Sequence, residues 1–140
     1  MSANADSLGY LLDTNTCIRY LNGRAPRVRN RLRSTPRSQV AICSVVKAEM
    51  LAGALRSTAP ERSVQRQRDF FAAFVSLPFD DAAAESYSQL RAHLLAMGTP
   101  IGPNDMMIAA IAVAHGLTLV THNTDEFQRV PGLVLEDWEI

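Results

Sequence analysis

Five apolar runs, each too short for a helix of its own and each set apart from the next by a helix-forming stretch, constrain this chain more than any other feature. They are "GYLLD" (9–13), "QVAICS" (39–44), "VSLPF" (75–79), "LTLVT" (117–121) and "GLVLEDW" (132–138). Between the first two, Thr14 to Leu21 reads as helix, and Pro26 opens a second, arginine-rich one. Ser44 is the expected N-cap of a helix to about Leu55, and Pro60 starts another to about Val75, with Phe70, Phe71 and Phe74 at core spacing. Asp80 or Asp81 caps a helix to Met97, stopped by Gly98, and a further helix runs between Pro103 and His115, ended by Gly116. Pro78 cannot donate to a ladder, so the third run belongs at an edge. Buried strands alternating with helices imply an α/β fold, a parallel sheet covered by helices on both faces. Ligands of such sheets collect outside the carboxyl ends of the strands.

The remaining bulk properties narrow the class. At 140 residues the chain is expected to be one domain over 1–140, with residues 1–8 a flexible N-terminal extension. No stretch approaches the roughly 18–20 uninterrupted apolar residues of a membrane span, and the N-terminus lacks the basic and apolar regions of a signal peptide. Cys17 and Cys43 each sit in an apolar segment and read as reduced core residues of a cytoplasmic protein; Ile18 is also assigned to the core.

Net charge is zero, yet unevenly laid out. Through Arg68 there are 12 basic and 4 acidic residues; from Asp69 onward there are 2 basic and 10 acidic. Arg24, Arg27, Arg29, Arg31 and Arg33, with Arg37 behind them, form a dense run that is either an RNA-binding surface or a solvated helix face.

Most acids have an ordinary place. Asp69, Asp80, Asp81, Glu85, Glu136, Asp137 and Glu139 lie at helix starts, on polar faces or near the terminus, as caps and solubilising charges. Three do not. Asp13 ends a buried strand, Glu49 interrupts the apolar "VVKAEMLAGAL", and Asp105 opens a helix on the face it shares with Ile108, Ala109 and Ala112. Each has a bland account: Asp13 as a helix cap assisted by Thr14 and Thr16, Asp105 as a first-turn acid favoured by the dipole, Glu49 as a solvent-facing residue. Brought to one sheet edge, the three would repel one another unless a cation neutralised them. Oxygen ligands without a His or Cys set favour Mg²⁺ or Mn²⁺ over zinc, and His93, His115 and His122 have no zinc-site spacing. A hard divalent ion beside arginines suits phosphate chemistry by metal-activated water.

The motifs "LLDTNTCI", "SVVKAEMLAGA", "IGPNDMMIAA" and "LVTHNTDEFQRVPGLVLEDW", in this order from about Gly9 to Trp138, resemble the PIN-domain toxins of the VapC type. The subgroup that cuts initiator tRNA shares most of them. The resemblance implies a PIN-like three-layer fold with a central parallel sheet flanked by helices. It also implies a homodimeric Mg²⁺- or Mn²⁺-dependent endoribonuclease, the toxin of a type II toxin–antitoxin pair. A cognate VapB-type antitoxin would block the site and carry the complex to operator DNA. By the same resemblance Asp13, Glu49 and Asp105 are the metal-binding acids, and Thr14 and Asn15 orient the first, with Thr121 in support. The fourth acidic position falls on Glu126, Asn123 or Asp125: many PIN domains have Asp where this chain has Asn123.

Two other readings stand beside this one. "DTNTC" resembles the D-x-D-x-[TV] start of haloacid-dehalogenase-type phosphatases, but Asn15 lacks the acid that protonates a leaving group, and Lys47 is the only lysine to serve that family's chemistry. A non-catalytic PIN fold that binds RNA or antitoxin is the other.

Overall fold

The computed structural model describes residues 8–140. All five runs pair into one parallel sheet: β1 (Tyr10–Leu12), β2 (Val40–Cys43), β3 (Val75–Leu77), β4 (Thr118–Val120) and β5 (Val134–Glu136), in the order β3-β2-β1-β4-β5. β3, with its following Pro78, is at one edge. The expected N-terminal extension lies outside the described residues except for Leu8, which packs on the core.

Seven helices are described: α1 (Thr14–Leu21), α2 (Pro26–Ser34), α3 (Ser44–Leu55), α4 (Pro60–Phe71), α5 (Asp81–Ala96), α6 (Pro103–His115) and α7 (Thr124–Phe127). Pro is at the first position of α2, α4 and α6, where its missing N–H costs nothing. Asp80 caps α5 through Ala83 N–H at 3.0 Å. Gly116, at φ 65°, turns the chain out of α6 directly into β4.

Three local expectations need correction. Ser44 is the first residue of α3 and not its cap; its hydroxyl instead accepts the Phe79 N–H at 3.2 Å, tying α3 to the exit of β3. The helix from Pro60 stops at Phe71, because Phe70, Phe71 and Phe74 are all buried and the chain must turn through Ala72–Phe74 to reach β3. Ile18 is 37% exposed, while its neighbour Cys17 is fully buried; both cysteines are free thiols.

β2 is buried at every residue, and α6 buries Met106, Ile108, Ala109, Ala110, Ile111 and Ala112. Three alanines in six positions let α6 lie close to its neighbours, α5 foremost. No described helix is long and apolar enough to cross a membrane.

The C-terminal segment closes the sheet's other edge. Trp138 is buried, meets Tyr10 edge-on at 5.1 Å between ring centroids, and donates its indole N–H to Glu136 at 2.9 Å. Arg31 of α2 lies 4.9 Å above the Trp138 ring and donates to the same Glu136 oxygen at 3.1 Å. One residue of the arginine run thus fastens α2 to β5. Arg31→Ala should lower unfolding stability by about 1 kcal/mol in urea titration. Arg29→Ala, exposed on the same helix, should change it by less than about 0.5 kcal/mol.

Candidate metal centre and active site

Chain order sends β2 and β3 to one side of β1 and β4 and β5 to the other. The crevice where an α/β sheet takes a ligand therefore lies between the carboxyl ends of β1 and β4. Asp13 and Thr121 are the first residues past those two ends.

Asp13 continues the ladder, its N–H donating to Val120 O at 3.1 Å, before the chain turns into α1. Its side chain is 4% exposed, and both oxygens are occupied. Oδ1 accepts the Thr16 N–H at 2.8 Å, a helix cap; Oδ2 accepts the hydroxyl of fully buried Thr121 at 2.6 Å. Burial pushes the Asp13 pKa up, the bonds from Thr121 and Thr16 oppose it, and the charge of Glu139 adds to the rise. The cap and the strand-end carboxylate are the same group.

Glu49 accepts the Thr14 hydroxyl at 2.6 Å. Asp105, in the first turn of α6, is pushed up to about 7, first by burial, then by its contact with Glu126 and the charges of Glu126, Asp13 and Glu49. All four carboxylates thus share one electrostatic neighbourhood. Burial works against the Glu126 charge too, but it is outweighed by bonds from Asn123, Asp105 and the Gly102 N–H and by nearby Arg129, so its pKa lies below the usual range. In this pair Asp105 holds the proton and Glu126 the charge.

Among the described residues, no three acid, imidazole or thiol side chains converge closely enough to hold an ion as they stand. The donor chemistry nonetheless fits a hard cation: carboxylate oxygens only, with a mutual repulsion that a divalent ion relieves.

Other sequence-derived positions fall differently. Asn15 is exposed and does not orient Asp13; the Thr16 backbone does, and Thr14 serves Glu49 instead. For the fourth acid, Glu126 is beside Asp105, Asp125 is exposed, and Asn123 donates its amide to Glu126 at 2.9 Å. Lys47 lies over the Phe71 ring at 5.5 Å and is not among the groups that act on the Asp13 carboxyl, against the phosphatase reading. Arg24, Arg27, Arg29 and Arg33 are exposed, as a phosphate surface requires, whereas Arg31 is held by Trp138 and Glu136. The terminal acids are not merely solubilising charges. Asp137 pairs with His122 at 2.8 Å, and Glu139, its side chain 8% exposed, meets Arg19 at 2.6 Å and bears on Asp13. Sequence reasoning missed Glu139 because its partners lie more than a hundred residues earlier.

Known proteins resemble this chain along nearly its whole length. The sequence model described as "PIN domain" matches residues 10–133. The chain is 40% identical over 131 residues to the tRNA(fMet)-specific endonuclease VapC of Salmonella typhimurium, covering 94% of this chain and 98% of that protein. It is 35% identical to Ribonuclease VapC2 of Rickettsia felis, over 93% of this chain and 98% of the relative. Among solved structures, DNA-bound VapBC from Salmonella typhimurium superposes with a TM-score of 0.90 at 40% identity, covering 94% of this chain and 98% of that one. VapBC2 from Rickettsia felis, bound to a promoter DNA fragment, gives 0.88 at 34%, covering 94% and 99%.

The raised Asp105 pKa has a thermodynamic signature in metal-free protein. Unfolded, this carboxyl titrates near 3.8; folded, it titrates near 7. Its contribution is therefore fully present below pH 3.8 and is lost as pH rises through about 7. Asp105→Asn should raise the melting temperature in EDTA at pH 8 by roughly 3–5 °C, about 1 kcal/mol after allowing for solvent screening. At pH 4 it should change little, as differential scanning calorimetry can check.

Proposed function

Because the chain belongs to the PIN-domain family over residues 10–133, we propose that it is a divalent-metal-dependent endoribonuclease, the toxin of a toxin–antitoxin pair, acting on initiator tRNA. The observation that supports the reading is Asp105 at the head of α6, pushed up to about 7 by burial, by its contact with Glu126 and by the charges of Glu126, Asp13 and Glu49, beside the β1–β4 crevice. The substrate is drawn from similarity over nearly the whole chain to endonucleases named for tRNA(fMet). The partner is drawn from likeness to toxins in VapBC complexes, two of them with DNA; a VapB-type antitoxin is the expected counterpart.

Asp13 and Asp105 would hold Mg²⁺ or Mn²⁺, with Glu49 and Glu126 completing the oxygen set directly or through water. Such an ion polarises a phosphoryl oxygen and lowers the pKa of water, giving a nucleophile for hydrolysis of a phosphodiester. The chain's own residues prepare the place. Thr16 N–H and the Thr121 hydroxyl fix both oxygens of Asp13, and Thr14 and Asn123 fix Glu49 and Glu126. Asp105 must give up its proton to serve as a ligand, so ion binding should release protons below about pH 7. The exposed arginines of α2 provide counter-charge for the RNA backbone.

The purified protein should cut RNA only with added Mg²⁺ or Mn²⁺ and leave 5′-phosphate ends. Cleavage that persists in excess EDTA would remove the metal from this reading. Thr121→Val keeps the shape but deletes the hydroxyl on Asp13, and should cost about 10–100-fold in metal affinity or rate. Asp13→Ala should reduce cleavage to background while leaving the circular dichroism spectrum unchanged.

A further inference from the structure

A cavity of about 340 Å³ opens beside the acids, between α1, α3 and α4, and Glu49 forms part of its wall. The lining falls on one face of each helix. From α3 come Glu49 and, one turn later, Gly53; from α1 comes Ile18; from α4 come Arg66 and Gln67. Three features mark it as a place for a ligand. Gln67 Oε1 is buried with no hydrogen-bond partner among the described residues, which is costly unless something fills that role. Ile18, on the helix that Asp13 caps, is 37% exposed. A Cβ at Gly53 would meet nothing within 4 Å, so this helix position opens onto free space.

We propose that this cavity receives one unstacked nucleobase next to the scissile phosphate, and that Gln67 reads its hydrogen-bonding edge. The inference rests on the ribonuclease reading above. A phosphate lying against the acid cluster would place the adjoining nucleotide beside Glu49, at the cavity mouth. Aliphatic walls from Ile18 and Met50 suit the faces of a base, and a side-chain amide suits its edge, the way single-stranded RNA is commonly recognised. Arg66 is exposed at the rim and makes no ion pair among the described residues, leaving it free for a backbone phosphate.

Two variants test the cavity from opposite sides. Gln67→Leu keeps the bulk and removes the amide; Gly53→Leu fills the space, and because it replaces glycine in a helix it should not lower the melting temperature. Binding of the full-length protein to a random pool of short labelled single-stranded RNAs is measured in EDTA, where nothing is cut, and bound sequences are read out. Cleavage sites in the same pool are then mapped with Mn²⁺. Wild type should enrich one base at one position, and the cut should fall next to it. Gln67→Leu should lower that enrichment at least fivefold with little loss of overall affinity, and Gly53→Leu should weaken binding about tenfold. Enrichment and affinity unchanged in both variants would overturn the proposal. So would unchanged RNA behaviour coupled to weaker binding of the antitoxin, since the cavity would then be a peptide site. If base selection responds as expected in EDTA but no cleavage follows with Mn²⁺, the ribonuclease reading fails and the base pocket stands.

Discussion

The buried hydrogen bonds on Asp13 are the constraint from which the site is built. A carboxylate at the tip of a central parallel strand has little water to stabilise it, and burial drives its pKa upward. Two donors offset this from fixed directions: the Thr16 N–H, set by α1, and the Thr121 hydroxyl, set by β4. Because β1 and β4 are paired, with Leu12 opposite Val120, the distance between Asp13 and Thr121 is a property of the sheet register. A slip of one residue in that pairing would turn Thr121 to the other face and leave Asp13 unpartnered. The Asp13–Thr121 pair is thus fixed by the same register that aligns the central strands.

Around this anchor the acids are held by neutral groups and not by cations. Thr14 serves Glu49, and Asn123 and the Gly102 N–H serve Glu126. Four basic side chains are engaged elsewhere. Arg31 is over Trp138, Arg37 over Phe74, Lys47 over Phe71, and Arg19 meets Glu139. Arg129 is the basic residue that bears on Glu126, at the outer side of the cluster. Orientation is supplied without neutralisation, so the negative field persists and Asp105 absorbs it by keeping its proton. That is the state a hard cation would relieve, and a cation bound there would displace the Asp105 proton.

Much of this was legible in the residues because local rules and tertiary packing agree. The five apolar runs became the five strands, and Pro26, Pro60 and Pro103 each began a helix. Asp13, Glu49 and Asp105 stood out because each broke an apolar pattern. What the sequence hid depends on contacts between distant segments. Ser44 looks like a cap until Phe79 N–H is seen to claim its hydroxyl. Ile18 fits the helical apolar pattern, yet α1, α3 and α4 leave a cavity where its side chain lies. The terminal acids read as solvated charge until Arg19 and Arg31, from far earlier in the chain, and His122, from just past the end of β4, are found against them. Short α7 was hidden because four residues carry no periodicity.

Asn123, where many PIN domains carry an aspartate, finds its physical reason in the same network. Its backbone N–H donates to Thr121 Oγ1 at 2.9 Å, and Thr121 in turn donates to Asp13. Its side-chain amide donates to Glu126 Oε2, whose other oxygen takes the Gly102 N–H just before α6. A continuous line of hydrogen bonds therefore runs from α1 through Asp13, Thr121, Asn123 and Glu126 to the start of the helix that carries Asp105. An ionised aspartate at 123 could not donate to Glu126 and would add a fifth carboxyl group to the four already there. With asparagine there, Glu126 is held charged and close to Asp105.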